Sequence, residues 1–318
     1  MSPQKDLPVI FLMGPTATGK TGLAMALHEL LPVDLINVDA SQVYRGMDIG
    51  TAKPSADELA RAPHRLIDIR DPSEPYSAAE FCADARKAIW QIHQNGRIPL
   101  LVGGTMFYFH ALEYGLSRLP AANKIVRDRL LQQAGEVGWA AMHVRLAAAD
   151  PESAERIHPN DSQRVQRALE ILELTGQPPS VMGQEQPAMA LPHKVIKIAL
   201  MPEDREELKK RIATRFQHML DAGLVDEVKA LLENGNLANR LPAMRMVGYR
   251  QVRQYLDEEI PYNQMVEKGI NASRQLAKRQ LTWLRRYENV FFFNATNPVL
   301  VTECLGYLQG KLSPFSVY

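Results

Sequence analysis

The chain has 318 residues, 46% of them hydrophobic, and a formal net charge of +1, which is the composition of a globular protein with a sizeable core. This charge excludes a molecule-wide attraction for polyanions, so any nucleic-acid contact must come from a local basic patch. Two distant cysteines exclude a disulfide framework or a zinc site, and no apolar run is long enough to cross a bilayer. The sequence therefore predicts a cytoplasmic protein without membrane contacts.

The first predicted strand leads into a glycine-rich loop. The apolar run at residues 8–13 precedes G-P-T-A-T-G-K-T, which fits the pattern G-x-x-x-x-G-K-[S/T]. In such a loop backbone N–H groups point at phosphate oxygens, Lys20 adds a positive charge, and the Thr21 hydroxyl can bind Mg²⁺ where a helix begins. The pattern predicts a diphosphate or triphosphate site. Its residues, which we call the phosphate loop, are Gly14, Pro15, Thr16, Ala17, Thr18, Gly19, Lys20 and Thr21.

An acidic residue follows the second predicted strand, at residues 33–38. Parallel strands deliver the residues at their carboxyl ends to one edge of a sheet, so Asp39 and the segment 39–42 are expected beside the phosphate loop. Position alone leaves three roles open for Asp39: a base, an indirect magnesium ligand, or an N-cap for the residues that follow. A further short strand is predicted at residues 64–69.

The strand predicted at residues 98–102 ends in an unusual way. It is followed by Gly103, Gly104 and Thr105, where many phosphate-loop NTPases carry an acidic residue. Without that carboxylate a ligand for a hydrolytic magnesium ion is missing, so ATP hydrolysis is disfavoured. Two glycines and a hydroxyl would instead allow a substrate to approach the backbone closely. The aromatic residues at 107–109 are interpreted as packing residues of the next helix.

Residues 123–187 show only helical patterns, and the strand pattern returns at residues 193–200. We therefore expect an all-helical insertion domain at 123–187, between two parts of a core, 1–122 and 188–318. The predicted fold class is α/β, with a P-loop NTPase-like parallel sheet flanked by helices. Within the insertion, Arg164 and Arg167 lie three residues apart on one helix face. A solvated charged face explains them as well as a binding role does.

Two later helices carry candidate basic residues. On the helix at residues 205–221, Arg211 or Arg215 could reach bound phosphates, although spacing alone does not separate this role from simple exposure. The helix at residues 262–283 places Arg274, Lys278 and Arg285 on one side, next to its apolar stripe. Six basic residues and no acidic one occur between positions 268 and 286, which favours binding of a nucleic-acid backbone over a merely solvated face.

Taken together, these motifs resemble the bacterial tRNA dimethylallyltransferase family over about residues 9–286. The segments that carry the resemblance are the phosphate loop, residues 39–42, D-I-G-T-A-K-P at 48–54, G-G-T-M at 103–106, R-M-V-G-Y-R at 245–250 and K-R-Q-L-T-W-L-R at 278–285. The resemblance implies transfer of a dimethylallyl group from dimethylallyl diphosphate to N6 of the adenosine immediately 3′ of the anticodon of tRNA. It also implies Mg²⁺ as cofactor and a monomer.

The resemblance suggests roles for individual residues. Asp39 would be the general base, and Lys20 would stabilise the departing diphosphate together with Arg215, which we prefer to Arg211. Thr105 would touch the substrates as a third catalytic residue, and the target base would be flipped out of the anticodon loop. The residues implied in contact with the tRNA are Asp39, Ala40, Ser41, Gln42, Thr105, Arg127, Gln163, Arg164, Val165, Gln166, Arg167, Arg245, Met246, Val247, Gly248, Tyr249, Arg250, Lys278, Arg279, Gln280, Leu281, Thr282, Trp283, Leu284 and Arg285.

Two rival classes use part of this set. A small-molecule kinase would use the phosphate loop with Asp39 orienting a hydroxyl, but it would not need the basic helix. A non-catalytic RNA-binding protein would need the basic helix, but not a carboxylate beside a phosphate site. An enzyme that modifies nucleic acid uses both.

Overall fold

A parallel sheet organises the larger of two compact units. The computed structural model describes residues 8–117, 119–182, 189–234 and 243–315. One unit spans Tyr114–Leu191, and the other comprises the described residues before and after it. Within these residues the sheet has six strands in the order β3-β2-β4-β1-β5-β6, all parallel. They are β1 (Val9–Met13), β2 (Val33–Val38), β3 (His64–Arg65), β4 (Ile98–Gly103), β5 (Val195–Met201) and β6 (Val290–Asn294).

Helices make up most of the remaining described chain. The helices up to residue 114 and after residue 191 belong to the sheet-containing unit, and the helices between these residues form the other unit. In chain order they are α1 (Lys20–Leu30), α2 (Ala56–Arg61), α3 (Ala78–Gln94), α4 (Met106–Tyr114), α5 (Lys124–Ala149), α6 (Pro151–Arg156), α7 (Ser162–Thr175), α8 (Pro179–Met182), α9 (Arg205–Asp221), α10 (Leu224–Asn234), α11 (Tyr249–Leu256), α12 (Tyr262–Leu284) and α13 (Leu300–Leu312). No helix of the described chain is both long and apolar enough to cross a membrane.

The register of the central strands positions the site. Every residue of β1 and β4 is buried, as expected for parallel strands covered on both faces. Gly103, the last residue of β4, pairs with both Met13 of β1 and Val38 of β2. The residues that follow these three strands therefore emerge at one edge of the sheet. This confirms the α/β fold class predicted from the sequence.

The strand predicted at residues 64–69 is shorter than expected. Only His64 and Arg65 pair with β2. Leu66 and Asp68 have φ angles of 65° and 56°, in the left-handed region, and such residues cannot continue an extended strand. The chain therefore leaves the sheet after Arg65, and the prediction for residues 66–69 is wrong.

The helical unit, Tyr114–Leu191, has its own apolar core. Leu130, Leu146, Val165 and Leu169 are fully buried there. The backbone of α5 is interrupted at Gly138 (φ 80°, ψ 157°), which only glycine adopts readily, and α7 ends at Gly176. The described part of the insertion predicted at residues 123–187 lies inside this unit, which extends further at both ends. Residues 183–187 of the predicted insertion lie outside the described residues.

Candidate active site

A cavity of about 490 Å³ lies at the carboxyl edge of the sheet, and we call it the edge cavity. It is lined by the phosphate loop, by residues that follow β2 and β4, and by side chains of α9 and α12. The lining residues relevant here are Thr16, Lys20, Thr21, Asp39, Ala40, Ser41, Gln42, Gly104, Thr105, Phe107, Ile212, Arg215, Phe216, Met219, Arg245, Met246, Val247, Gly248, Tyr249, Ser273, Leu276, Arg279, Gln280 and Trp283.

The phosphate loop is shaped by its own hydrogen bonds. Gly19 adopts φ 84°, which turns the chain into α1, and it supplies no side-chain cap to that helix. Thr18 Oγ1 and Lys20 Nζ both donate to the carbonyl oxygen of Pro15, at 2.8 and 2.7 Å. The N-terminus of α1 therefore keeps its N–H groups and its partial positive charge for an anion.

The electrostatics of the edge cavity also favour an anion. Burial lowers the pKa of the Lys20 ammonium to about 7; nearby Arg215 adds to the lowering, and Asp39 opposes it. Two cations thus face one carboxylate in a partly desolvated space. A bound diphosphate would favour the charged form of Lys20, since an opposite charge nearby stabilises an ammonium.

Asp39 directly follows β2 and shapes a turn. Its Oδ1 accepts hydrogen bonds from the backbone N of Ser41 at 2.8 Å and from the Ser41 hydroxyl at 2.5 Å. It does not cap a helix, because the next helix, α2, begins at Ala56 and is capped by Ser55. Of the three roles that the sequence left open, helix capping is wrong, and Asp39 lines the edge cavity beside Lys20.

Thr105 and Gln42 connect the segments that follow the strands. The Thr105 hydroxyl accepts a hydrogen bond from Ala40 N at 3.1 Å, which leaves its own proton for another partner. Gln42 Nε2 donates to the carbonyl oxygens of Thr51 and Ala52, both at 3.1 Å. The Asp39–Gln42 turn is therefore held from two sides.

Sequence reasoning missed the residue that holds the loop at 48–54. The carboxylate of Glu227 on α10 accepts hydrogen bonds from the backbone N atoms of Asp48, Ile49 and Gly50 at 2.9, 2.7 and 3.1 Å. It also accepts one from the Tyr249 hydroxyl at 2.6 Å. An acidic residue on an amphipathic helix gives no local signal of such a role, because its backbone partners lie about 180 residues earlier.

Gly103 and Gly104 serve contacts within the protein. A Cβ on Gly103 would lie 2.0 Å from the carbonyl oxygen of Val38, so glycine allows β4 to end against β2. A Cβ on Gly104 would lie 2.4 Å from Nε2 of Gln280. These contacts explain glycine at both positions. Because Gly103 and Gly104 also line the edge cavity, close approach of a substrate to their backbone stays a prediction.

Some of the candidate basic residues on α9 and α12 line the edge cavity and others do not. Arg215 of α9 lines the edge cavity, whereas Arg211 is not among its lining residues. On α12, Arg279 and Trp283 line the cavity, while Lys278 is exposed on the helix surface. Exposed Arg285 directly follows the helix.

Several residues implied in tRNA contact are packing residues instead. Leu284, Tyr249 and Val165 are fully buried, and Leu281 is 7% exposed. Gln280 is 8% exposed and bonds to the protein backbone. The segments that carry the family resemblance are contiguous in sequence, so they include the buried face of each helix as well as the exposed one. For Val165, Leu281 and Leu284 the expected RNA contact is therefore wrong. Tyr249 and Gln280 also line the edge cavity, so their contact with RNA stays a prediction.

The candidates in the helical unit surround a buried carboxylate. Glu170 is fully buried and accepts hydrogen bonds from Arg127 Nε at 3.0 Å, Arg167 Nη1 at 2.8 Å and Asn123 N at 2.7 Å. Its burial would raise its pKa, but the hydrogen bonds from Arg167, Asn123 and Arg127 outweigh burial and lower it. Arg127 and Arg167 therefore have a structural partner. Arg164, by contrast, is exposed.

The parallel sheet, with a phosphate loop at its carboxyl edge and a cavity beside it, defines an α/β enzyme of the P-loop type. The family profile described as IPP transferase matches residues 42–287. The tRNA dimethylallyltransferases of Alkalilimnicola ehrlichii and Thiobacillus denitrificans are 60% and 57% identical to the chain over 283 and 280 residues. The alignments cover 89% and 88% of the chain and 89% of each relative. The chain belongs to the IPP transferase family.

Solved structures agree with this assignment. The full-length tRNA isopentenylpyrophosphate transferase of Bacillus halodurans is 36% identical, with a TM-score of 0.70 and 98% of each chain covered. The tRNA isopentenylpyrophosphate transferase of Staphylococcus epidermidis is 32% identical at the same TM-score, covering 98% of this chain and all of that one. A eukaryotic dimethylallyltransferase described as acting on tRNA is 27% identical, with a TM-score of 0.75, covering 98% of this chain and 78% of that one.

Proposed function

We propose that the chain transfers the dimethylallyl group of dimethylallyl diphosphate to the exocyclic N6 of the adenosine 3′-adjacent to the anticodon of tRNA, and releases diphosphate. Two relatives more than half identical to it are named tRNA dimethylallyltransferase. The observation that carries the proposal is one cavity lined by Lys20, Arg215 and Asp39. Phe107, which the sequence predicts to be a packing residue, is instead 50% exposed and lines the same cavity. Its ring centroid is 6.4 Å from that of Trp283, and the two rings offer aromatic surface for a flipped base.

The chemistry requires a base and an anion site. As the bond between the allylic carbon and the diphosphate oxygen breaks, Lys20, Arg215 and the N–H groups of the phosphate loop hold the developing negative charge. The N6 nitrogen bonds to that carbon and loses a proton, which Asp39 accepts. Thr105 follows β4, and its hydroxyl oxygen accepts a hydrogen bond from Ala40 N. The hydroxyl proton is therefore available to orient the substrates in the cavity.

Mg²⁺ fits the residues present. The described chain contains no cluster of three or more histidine, cysteine or acidic residues that could enclose a metal. Mg²⁺ at phosphate sites is commonly bound through one or two protein ligands, with substrate oxygens and waters completing its shell. Thr21, at the start of α1 and in the edge cavity, would be such a ligand. When bound, the ion would neutralise part of the diphosphate charge.

The tRNA would be held by exposed basic residues. Lys278, Arg279 and Arg285 are exposed on or next to α12, and Gln163 and Arg164 are exposed on α7. Contacts of this kind to RNA phosphates give affinity without reading the sequence. We propose that the chain acts in the cytoplasm as a monomer with the anticodon stem-loop of tRNA as partner.

An isotope experiment tests the function directly. The chain is incubated with tRNA, Mg²⁺ and dimethylallyl diphosphate labelled in its carbon chain. We expect label in the RNA, at the adenosine next to the anticodon, without any requirement for ATP. A parallel incubation with γ-labelled ATP distinguishes the kinase alternative. Label passing from ATP to any acceptor, with the RNA left unprenylated, would contradict the proposal.

The basic surface of α12 gives a second test. Replacing Lys278 and Arg285 by alanine should weaken binding of all tRNAs similarly, because both side chains are exposed and, in the proposed complex, would contact phosphates and not bases. The slope of log binding constant against log salt concentration should become shallower by about one to two units.

Filter binding over a range of salt concentrations measures this slope. Arg61→Ala with Lys311→Ala is a matched control, since it removes the same charge from exposed positions on α2 and α13. We expect the control to keep the wild-type slope. If the Lys278 and Arg285 variant also keeps it, these residues form only a solvated face.

A further inference from the structure

We propose that Gln280 is a positioning residue for diphosphate departure, because its side-chain amide fixes the phosphate loop against the segment that follows β4. This inference rests on the proposed function for its reaction step. It concerns a residue that the resemblance implies only as a tRNA contact, and it gives the buried amide of that residue a role within the protein. Its structural basis is a bridge between two parts of the site.

The bridge consists of two hydrogen bonds. The Oε1 atom of Gln280 accepts from the backbone N of Thr16 at 2.9 Å. Its Nε2 atom donates to the carbonyl oxygen of Gly104 at 2.9 Å. One partner is an obligate donor and the other an obligate acceptor, so the orientation of the amide is fixed. A primary amide is suited to this position because it presents an acceptor and a donor on one planar group.

The surroundings leave room for this group. A Cβ on Gly104 would lie 2.4 Å from Gln280 Nε2 and 3.4 Å from the carbonyl oxygen of Gly14. The absence of a side chain at Gly104 thus allows α12, β4 and the phosphate loop to meet. Because Gln280 is 8% exposed, removing its amide would leave the Thr16 N–H or the Gly104 carbonyl without this partner.

Apolar packing brings α12 to the same loop. Ala277 and Leu281, on the turns that flank Gln280, form a buried cluster with α9, and Ala17 of the phosphate loop packs against that cluster. Ala17 has a φ of 64°, a left-handed conformation that is unfavourable for a residue with a Cβ. Such a conformation persists only where the surroundings enforce it. The contact with α12 is one of those surroundings.

The bridge sets the spacing between the cavity wall formed by α12 and the phosphate loop. Arg279 and Trp283, next to Gln280 and one turn beyond it, line the edge cavity. Gln280 therefore links the helix that forms this wall to the loop that would hold the leaving group. A misplacement of about 1 Å between reacting groups can cost roughly 10²-fold in rate. Loss of the bridge should therefore lower kcat, and it should also weaken binding of the diphosphate.

Two variants separate positioning from general stability. Gln280→Leu removes both hydrogen bonds at every pH. Gln280→Glu keeps the shape, but its ionised carboxylate cannot donate to the Gly104 carbonyl, whereas its protonated form can accept and donate as the amide does. Burial favours the protonated form of a carboxyl group. Activity of Gln280→Glu relative to wild type should therefore rise as the pH is lowered from about 8 to about 6.

The measurements are kcat, KM for dimethylallyl diphosphate, and the Kd of inorganic diphosphate by calorimetry, each as a ratio to wild type across pH. At pH about 8 we expect kcat of both variants to fall by about 10–10²-fold. The Gln280→Glu ratios should recover on acidification and the Gln280→Leu ratios should not. Met265→Ala, which removes a fully buried side chain at the other end of α12, is the control for lost stability. Its ratios should stay flat.

The outcomes are distinct. If both Gln280 variants show flat ratios across pH, or lose no more activity than Met265→Ala at equal thermal stability, the positioning role is wrong. Should Gln280→Leu fail to fold, Gln280→Glu alone decides, through its pH-dependent ratios. A wild-type chain that transfers no prenyl group would overturn the proposed function. The Kd of inorganic diphosphate for the Gln280 variants, relative to wild type, would still test the role of the bridge.

Discussion

Replacement of Asp39 by alanine should lower turnover by about 10²–10⁴-fold and leave tRNA binding intact. Asp39 follows β2 at the carboxyl edge of the sheet and lines the edge cavity with Lys20 and Arg215. The attacking amine must lose a proton, and in the proposed reaction the Asp39 carboxylate accepts it. Single-turnover kinetics with saturating substrates measure the loss, and filter binding measures the affinity for tRNA.

The same strand offers a control for Asp39. Asp34 lies in β2 and pairs with Arg97 at 2.6 Å, and it is not among the residues lining the edge cavity. Asp34→Ala should keep near-normal turnover in the folded fraction. If Asp39→Ala loses less than about tenfold with saturating substrates, Asp39 is not the general base.

Replacement of Lys20 by alanine should lower prenyl transfer by about 10²–10³-fold, the usual cost of removing a group that holds developing negative charge. The ammonium of Lys20 donates to the Pro15 carbonyl and faces the edge cavity with Arg215. Its loss leaves one of the two cations at the leaving group. Transfer of carbon-labelled donor to tRNA is the measurement.

Arg211→Ala is the matched control for the loss of a cation. Arg211 lies on α9 one turn before Arg215, but it does not line the edge cavity. We expect this variant to transfer label at a near-normal rate. Equal activity of Lys20→Ala and wild type would show that the phosphate loop does not hold the leaving diphosphate.

The sequence predicted those parts of the site that depend on local patterns. The phosphate loop is a contiguous motif whose glycines and lysine set its own backbone, and Asp39 directly follows a largely buried strand. Since parallel strands align their carboxyl ends, the proximity of these segments follows from the fold class. The sequence narrowed the cation on the diphosphate side only to Arg211 or Arg215, because the two residues lie one turn apart on the same helix.

The rest depended on contacts that no local pattern encodes. Glu227 and Gln280 resemble ordinary polar residues of amphipathic helices, and their partners lie far away in sequence. The reason for Gly104 became clear only with the position of Gln280. Similarly, the left-handed backbone at Leu66 was not predicted, since non-glycine residues adopt that conformation only where the surrounding structure requires it.

The bridge between Thr16 and Gln280 spans 264 positions of the chain. During synthesis the phosphate loop leaves the ribosome long before its amide partner on α12 does. Contacts so distant in sequence form late and slow the folding of a domain. A nascent chain that ends before α12 thus carries the complete phosphate-binding motif without the helix that packs against it. It exposes the apolar surface that Ala277 and Leu281 would cover, which makes premature termination products candidates for aggregation.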